Sequence, residues 1–339
     1  KGYPFAEEDP AKFHGIGKFD PETGKKMTAR VRSFSDVFGD TMVTLAQKNE
    51  KLCAITAAMP GGTGLLQYMK QFPQRLFDVG IAEEHAVSMA GGLAKQGMVP
   101  VVAIYSTFLQ RAYDQLMQDV AMLRLHVVLA VDRAGLVGDD GPTHHGVFDV
   151  GFLRQVPGMQ ILAPASLREL EQMLTWAVET CDGPVAVRYP RGTEGAYTVS
   201  AWDGTARVVS CGCGADVTLI TYGTMINAVL AAAEELKQQG ISCTVLRLLE
   251  LSALPAEEIL RLMPERKTAV VIEETASGSG VMQALAWQMQ KLCSQCRVSG
   301  IDLGRDFVPH GSQQRLYEYC GLDAASIAQF VSGVLTDEK

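Results

Sequence analysis

The sequence has few aromatic residues, no excess of positive charge and no long apolar run. Aromatic residues make up 7% of the 339 residues, and the formal net charge is −8. A chain with net negative charge lacks the excess of basic residues that is typical of nucleic-acid-binding proteins, and it is poorly suited to an anionic membrane surface. No apolar run reaches the roughly 18 residues of a membrane span. We therefore expect no nucleic-acid partner and no membrane partner.

The amino-terminal residues lack the features of a secretory signal peptide. Acidic Glu7, Glu8 and Asp9 stand where an apolar segment would be required. With 47% hydrophobic and 20% charged residues, the composition predicts a soluble globular protein of the cytoplasm. A length of 339 residues favours two domains over one core. Because the first residue is Lys1 and not Met, the chain is expected to be part of something longer.

The eight cysteines are scattered along the chain, several of them in apolar or small-residue runs. This distribution is typical of reduced thiols in a cytosolic protein. Cys293 and Cys296 have the spacing of a zinc or redox pair, but a zinc site needs a second pair or added His. A redox pair usually opens a helix, whereas this one closes a predicted helix. We predict no metal-ligating residue in this chain.

Short apolar runs alternate with segments of helical periodicity along most of the chain. The predicted strands are Leu52–Thr56, Leu76–Val79, Val99–Tyr105, His126–Val131, Gln160–Ala163, Val185–Tyr189, Val217–Thr221, Cys243–Arg247, Thr268–Ile272 and Arg297–Gly300. The predicted helices are one from Phe34 onward, capped by Ser35 or Asp36, then Gly64–Gln71, His85–Gln96, Ala112–Met122, Ser166–Thr180, Met225–Gln239, Ala256–Met263, Gly280–Leu292 and Ala324–Leu335. The fold class is therefore α/β, with mostly parallel sheets covered by helices on both faces.

Composition divides the chain into four segments. Residues 1–30 are polar and without periodicity, and they are predicted to form a connector arm. Residues 31–195 and 214–339 are predicted to form two three-layer α/β/α domains, the second of them smaller. A Gly-rich break over residues 196–213 is predicted to link them.

Ionisable residues follow four of the predicted strands, at the point where each strand ends. The carboxyl ends of parallel strands meet at one edge of a sheet, so we expect these side chains to lie close together. The Arg residues of this group suit a phosphate or carboxylate, because guanidinium binds such anions bidentately. The residues following the strands are Glu83, Glu84 and His85; Arg111; Arg133, Asp139, Asp140, His144 and His145; and Arg188 and Arg191.

The same stretches resemble the 1-deoxy-D-xylulose-5-phosphate synthases of the transketolase superfamily. The resemblance rests on Asp78–Val87, Ala103–Gln115, Asp132–Gly146 and Val187–Gly192. The segment around Lys12-Phe13-His14-Gly15 is similar to the connector of those synthases. The family implies that this chain corresponds to their pyrimidine-binding domain and C-terminal domain, which are the last two.

The resemblance implies thiamine diphosphate as cofactor. A carboxylic acid must face N1′ of its aminopyrimidine to activate it, and Glu83 matches that catalytic acid. Glu84 is the alternative candidate for this acid, and it stands where the family usually has Gln. A structural role fits Glu84 better, because an acidic residue at the start of a helix lies near the positive end of the helix dipole. Phe108 matches the aromatic that stacks on the aminopyrimidine, and an ordinary core Phe is the alternative.

The family also implies the substrates pyruvate and glyceraldehyde 3-phosphate, condensed with loss of CO2 in the first step of a non-mevalonate isoprenoid pathway. Tyr105, Arg133 and Arg191 match residues that hold the phosphate of the acceptor, and Arg111 matches a further Arg of the pocket; ion pairing is the alternative for each Arg. Asp140 and His144 match a polar pair near the reacting carbons, and His144 is a catalytic candidate. For Arg188, His85 and His145, structural roles are favoured.

One part of the family pattern is missing from the sequence. The resemblance implies that Mg²⁺ and the diphosphate are bound by an N-terminal domain with a Gly-Asp-Gly motif, and Gly138-Asp139-Asp140-Gly141 belongs to a different loop. This chain alone is expected to be inactive, either as a fragment of a synthase or as a subunit of a split enzyme. The family implies a homodimer. The alternatives are the small subunit of a split transketolase, a β-type subunit of a 2-oxoacid dehydrogenase, and a non-catalytic assembly module.

Overall fold

The computed structural model describes residues 2–13, 16–27, 31–200 and 202–336. The segment up to Arg32 forms a unit of its own. It holds two short helices, α1 (Pro4–Glu8) and α2 (Pro10–Phe13). The Phe19 ring lies 5.8 Å from the Tyr3 ring and 5.4 Å from the Phe13 ring, so a small aromatic cluster packs this arm. His14 and Gly15 of the predicted connector lie outside the described residues.

The first sheet has six parallel strands in the order β2-β1-β3-β4-β6-β5. Three of its four inner strands are buried along their whole length, and the fourth is buried apart from its two end residues, because helices cover both faces. Alternate strand residues enter two separate apolar clusters, one on each face. The strands are β1 (Leu52–Thr56), β2 (Leu76–Asp78), β3 (Val99–Tyr105), β4 (Val128–Asp132), β5 (Gln160–Leu162) and β6 (Val185–Arg188).

The helices around this sheet run in chain order from α3 to α9. They are α3 (Phe34–Lys48), α4 (Leu66–Gln71), α5 (Glu83–Lys95), α6 (Ser106–Leu109), α7 (Tyr113–Gln115), α8 (Asp149–Arg154) and α9 (Leu167–Glu179). Short 3₁₀ turns lie at Pro73–Arg75, Gln110–Ala112 and Gly138–Asp140, and a π-helical turn at Leu116–Ala121. None of the helices among the described residues is both long and apolar enough to cross a membrane.

The second sheet has five strands in the order β11-β10-β8-β9-β7, of which only β7 is antiparallel to its neighbour. These strands are β7 (Val208–Gly212), β8 (Val217–Tyr222), β9 (Cys243–Leu248), β10 (Thr268–Ile272) and β11 (Arg297–Ile301). Its helices are α10 (Ile226–Gln238), α11 (Ala256–Leu262), α12 (Met282–Leu292), α13 (Gln313–Cys320) and α14 (Ala324–Thr336), and a 3₁₀ turn lies at Gly223–Met225. The predicted α/β class with mostly parallel sheets is confirmed.

The two sheets are joined by backbone pairing and by one apolar cluster that runs through both domains. The amide of Leu251 donates to the Ile161 carbonyl at 2.9 Å, and the amide of Ala163 donates to the Leu249 carbonyl at 3.0 Å. Edge strand β5 is thus extended by the segment that follows β9. The contact fixes the C-terminal domain against the edge of the first sheet.

Several local features differ from the sequence-based expectations. Strand β7 lies inside the predicted linker, and it was not predicted because only its first two residues are strongly apolar and it ends at a glycine. The N-cap of helix α3 is Ser33, and not Ser35 or Asp36: its hydroxyl accepts from the Asp36 amide at 3.1 Å. Asp36 completes the capping box, because its carboxylate accepts from the Ser33 amide at 3.0 Å. The predicted helix Ala112–Met122 is divided into 3₁₀, α and π turns.

Candidate functional site

The predicted rim lies at the carboxyl ends of β1, β2, β3, β4 and β6. These strands are parallel and adjacent in the first sheet, so the loops that follow them emerge on one side. Asp78, which ends β2, accepts hydrogen bonds from the amides of Ala58 at 2.7 Å and Gly80 at 3.0 Å. The loop after β1 is therefore tied to the segment that leads into Glu83.

Glu83 is the first residue of α5 and is buried, with 2% of its surface exposed. Its Oε2 lies 3.2 Å from Nη1 of Arg111, yet that oxygen makes no hydrogen bond among the described residues. Glu84 is different, because 41% of its side chain is exposed and it contacts only the second guanidinium nitrogen, at 3.5 Å. The Arg111 ion pair offsets part of the cost of burying the Glu83 oxygen, and a donor on a ligand would supply the hydrogen bond that the described residues do not. Burial thus distinguishes the two adjacent acids.

Three aromatic rings line the site beside Arg111. The Tyr105 and Phe108 rings stack with centroids 5.8 Å apart, and the His144 ring meets Phe108 edge-on at 5.3 Å. Burial raises the pKa of the Tyr105 phenol, so the hydroxyl remains protonated at neutral pH. A Cβ atom on Gly62, in the loop after β1, would overlap this hydroxyl. Gly62 was not among the predicted site residues, although the run Gly61-Gly62-Thr63-Gly64 after a buried strand is a signal of close backbone approach.

Arg133 is held in a fixed position at the end of β4. Its guanidinium lies 3.6 Å from the centroid of the Tyr105 ring, and Nη1 donates to the Gly62 carbonyl at 3.1 Å. Its φ of 63° is left-handed, a conformation that costs energy for a non-glycine residue and is concentrated at functional sites. Asp132 lies behind it, 3.3 Å from Nη1. Burial raises the pKa of Asp132 to about 6, although Arg133 and a hydrogen bond from Ser35 oppose that rise.

Arg191 and Asp140 meet across two loops of the same rim. Asp140 Oδ2 lies 3.0 Å from Nη1 of Arg191, which also donates to the Val137 carbonyl at 3.1 Å. Both side chains are partly exposed, so the guanidinium retains donors that face solvent. The next residue along the rim, His144, contacts the Thr143 hydroxyl through Nδ1 at 2.9 Å. The structure therefore brings to one rim the eight site residues that the family resemblance implies: Glu83, Tyr105, Phe108, Arg111, Arg133, Asp140, His144 and Arg191.

The C-terminal domain contributes more to this rim than the sequence indicated. Buried Glu274 accepts from the Leu136 amide at 2.9 Å and from the Tyr317 hydroxyl at 2.5 Å. Its Oε2 is so close to Gly135 that a Cβ atom there would overlap it. Glu274 could not be selected from the sequence, since spacing along the chain cannot show a contact between two domains.

Further candidate groups lie apart from this rim or take part in structure. Arg188 forms a buried ion pair with Asp149, with a donor–acceptor distance of 2.8 Å at Nε. All eight cysteines are free thiols, and burial raises the pKa of Cys296 to about 11. Over the described ranges, no three His, Cys, Asp or Glu side chains are grouped so that they could hold a metal ion.

Two family models match the chain over most of its length. The transketolase pyrimidine binding domain matches residues 31–194, and the transketolase C-terminal domain matches residues 204–327. The chain belongs to the transketolase family. The first of the two domains contains every residue of the candidate rim apart from Glu274 and Tyr317.

Curated relatives agree with the resemblance seen in the sequence. The chain is 46% identical over 340 residues to a 1-deoxy-D-xylulose-5-phosphate synthase 1 of Geobacter sulfurreducens, covering 97% of the chain and 52% of the relative. It is 42% identical over 343 residues to a 1-deoxy-D-xylulose-5-phosphate synthase of Clostridium kluyveri, covering 99% and 54%. The chain thus spans about half the length of the relatives that it matches.

Solved structures agree on the fold. A structure described as a split gene transketolase, inactive beta4 tetramer, has a TM-score of 0.76 and 26% identity, covering 90% of this chain and 98% of that one. A transketolase from Campylobacter jejuni has a TM-score of 0.72 and 20% identity, and this chain covers 46% of it. Transketolase-type domains of this extent therefore occur within a longer chain and as a separate chain.

Proposed function

We propose that this chain is the pyrimidine-binding and C-terminal portion of a thiamine diphosphate-dependent 1-deoxy-D-xylulose-5-phosphate synthase. The reaction condenses pyruvate with glyceraldehyde 3-phosphate and releases CO2. The observation that carries the proposal is the buried carboxylate of Glu83, whose Oε2 lacks a hydrogen bond at the rim of the first sheet. Identities of 46% and 42% to synthases support the choice among transketolase-type reactions.

The residues around Glu83 fit the aminopyrimidine of thiamine diphosphate. The Glu83 oxygen that lacks a hydrogen bond can share a proton with a ring nitrogen, and the exposed part of the Phe108 ring offers a stacking surface. When bound, the cofactor supplies a nucleophilic thiazolium carbon, which no protein side chain provides. Glu83 holds and returns the proton at N1′, and Arg111 at 3.2 Å keeps a positive charge beside the carboxylate in the free chain.

Arg133 and Arg191 are assigned to the phosphate of glyceraldehyde 3-phosphate. Arg133 is oriented by the Gly62 carbonyl and the Tyr105 ring, and Arg191 by Asp140, so both guanidinium groups are oriented before the ligand binds. Such preorganisation lowers the entropy cost of holding a charged substrate. His144 engages Thr143 through Nδ1, and we assign proton exchange with the substrate oxygens to its Nε2.

The diphosphate and Mg²⁺ are assigned to a domain outside this sequence. The described residues offer no carboxylate cluster for the ion, and about half of each synthase relative is unmatched. We expect the chain alone to bind thiamine diphosphate weakly and to be inactive. Isothermal titration of the chain alone should give a dissociation constant well above the micromolar range, and micromolar binding would contradict this assignment.

A second candidate is the small subunit of a split transketolase. It is favoured by the similarity to the split gene transketolase structure, of which this chain covers 98%. In either case we infer a homodimer from the family. A β-type subunit of a 2-oxoacid dehydrogenase and a non-catalytic assembly module are two further possibilities.

A substrate screen separates these possibilities. The chain would be joined to the part of the Geobacter sulfurreducens synthase that it does not match, and then supplied with thiamine diphosphate and Mg²⁺. Pyruvate with glyceraldehyde 3-phosphate should yield 1-deoxy-D-xylulose 5-phosphate. Activity only with a ketose phosphate donor would favour the split transketolase, and turnover of pyruvate without the aldehyde acceptor would favour a dehydrogenase. The Glu83→Gln protein is the inactive control.

A further inference from the structure

The loop over residues 135–146, which carries Asp140 and His144, is held by hydrogen bonds between its two ends, here called its neck, and by contacts along one side with the C-terminal domain. The amides of Gly135 and Gly146 each donate to the carbonyl of the other at 2.8 Å, which closes the neck. On the side, Nε2 of Gln313 donates to the Leu136 carbonyl at 3.2 Å. Gly141 packs on His310 so closely that an added Cβ atom would lie 3.1 Å from the Cβ of that residue. The loop is therefore positioned by the C-terminal domain.

We propose that His145 is a positioning residue, a neutral imidazole that latches this loop onto the C-terminal domain and releases it when protonated. Its hydrogen bonds run to the backbone of Val137 and Pro309, so it acts through the loop and not on the reacting groups. The latch itself does not depend on the proposed function. Only its consequence for Asp140 and His144 as substrate residues rests on that function.

The two hydrogen bonds of His145 require one neutral tautomer. Only 3% of the residue surface is exposed. The Val137 amide donates to Nδ1 at 3.1 Å, so Nδ1 presents its lone pair and carries no proton. The proton must then be on Nε2, which donates to the Pro309 carbonyl at 3.1 Å. One ring thus connects the loop to the C-terminal domain.

A second proton would break the latch at Nδ1. It would oppose the Val137 N–H, leaving two donors facing each other in a buried position. Within the same loop, Asp140 favours the charged imidazole and His144 disfavours it. From the C-terminal domain, Arg305 and Asp306 line the cavity of 220 Å³ beside the ring, and His310 follows the acceptor Pro309. Burial is the largest influence and lowers the pKa of His145 below its usual value.

The direction of the pH effect follows from that lowered pKa. Above pH ~6.5, imidazole is neutral in both the folded and the unfolded chain, and the latch is intact. As the pH falls below this value, the unfolded or released loop takes up the proton first, so the latched state loses stability. Between the pKa of the released form and the lower pKa of the latched form, the equilibrium for opening the loop rises about tenfold for each pH unit of acidification.

Hydrogen exchange of this chain without cofactor tests the latch independently of catalysis. We would follow the peptide covering residues 134–147 from pH 8 to pH 5, after correction for intrinsic exchange, in the wild type and in His145→Gln. The Gln side chain offers both an acceptor and a donor but does not titrate. Wild-type protection should fall by up to ~10-fold per pH unit at the acid end, and His145→Gln should keep its protection.

Two further variants complete the comparison. His145→Leu removes both hydrogen bonds and should leave this peptide unprotected at pH 8, while the central strands stay protected. His126→Gln is the matched control, because His126 bonds the Ala177 carbonyl at 2.7 Å away from the loop, and it should retain the wild-type pH response. If His145→Leu does not fold, the comparison with His145→Gln decides alone. The latch is overturned if His145→Gln loses protection at acid pH as the wild type does, or if the wild type shows no loss.

Discussion

At the scale of single residues, the site is defined by two properties of its charged side chains: which of them are buried, and which are fixed in position by neighbouring groups. Glu83 and Glu84 are neighbours in the sequence, but one carboxylate is enclosed and the other reaches solvent. Arg133 accepts a left-handed backbone so that its guanidinium lies on Tyr105 and against the Gly62 carbonyl. The strained backbone of Arg133 and the Glu83 oxygen that lacks a hydrogen bond occur at the same rim, and features of both kinds concentrate at functional sites.

Arg191 gives a test of the phosphate site. Arg191→Ala removes a guanidinium that Asp140 and the Val137 carbonyl orient toward the rim. In the joined protein, KM for glyceraldehyde 3-phosphate should rise roughly 10- to 100-fold, corresponding to about 1.5–3 kcal/mol for a charge-assisted contact. KM for pyruvate should change little. Arg168→Ala, on the exposed side of α9, is the control, and unchanged acceptor kinetics in Arg191→Ala would remove this residue from the phosphate site.

The family resemblance identified the predicted site residues, but it did not identify the residues that contact them and fix their positions. Glu83, Phe108 and Arg133 could be selected from their motifs, because the spacing of neighbouring residues can be read directly from the sequence. The partners Gly62 and Glu274 could not, since each reaches the rim from a distant part of the chain. A positive φ at Arg133 likewise depends on the tertiary environment, which no residue pattern records.

At the scale of elements, the buried parallel strands were the most predictable feature. Their continuous apolar runs match the observed strands to within two residues, because both faces of the sheet are covered. Helix α13 was missed because it is polar, with only Leu316 buried. The π-helical turn at Leu116–Ala121 was missed because π and α turns share the same apolar periodicity at this length.

The loop after β1 gives a test at this scale. Gly62→Ala would place a Cβ atom on the Tyr105 hydroxyl, and that ring cannot retreat because Phe108 and Arg133 pack on it. We expect a loss of about 1–3 kcal/mol in the free energy of unfolding in urea, which is typical of overpacking.

Gly61→Ala is the matched control for that substitution. A Cβ atom on Gly61 would meet nothing closer than Leu66 Cδ1 at 3.9 Å, and neither glycine has a left-handed φ. Its stability should be unchanged or slightly raised. Equal stability of the two variants would show that the loop does not support Tyr105.

At the scale of the whole molecule, residues 33–336 are held together by contacts between the two sheets. Arg247 of β9 and Glu169 of α9 form two hydrogen bonds of 2.8 Å, and both side chains are 0% exposed. Removing one partner of such a pair leaves a buried charge without compensation. The domain contact is therefore expected to be sensitive to single substitutions.

Arg247→Met tests this contact. It should lower the free energy of unfolding by about 3–5 kcal/mol, because Glu169 would keep its hydrogen bond from the Ala165 amide but lose the buried guanidinium that balances its charge. Lys237→Met is the control, since its pair with Glu234 lies on the exposed face of α10 and is worth less than about 1 kcal/mol. Urea unfolding followed by tryptophan fluorescence provides the measurement. A change below about 1 kcal/mol in Arg247→Met would show that the pair does not hold the domains together.

Glu83 carries the central claim, that this chain provides the acid of a thiamine diphosphate site completed by another domain. NMR of the joined protein can measure how fast the C2 proton of bound thiamine diphosphate exchanges with deuterated solvent. Wild type and Glu84→Gln should exchange it rapidly, since the buried acid is intact in both. Glu83→Gln should bind the cofactor but lose the rapid exchange. Exchange in Glu83→Gln at the wild-type rate would contradict the assignment.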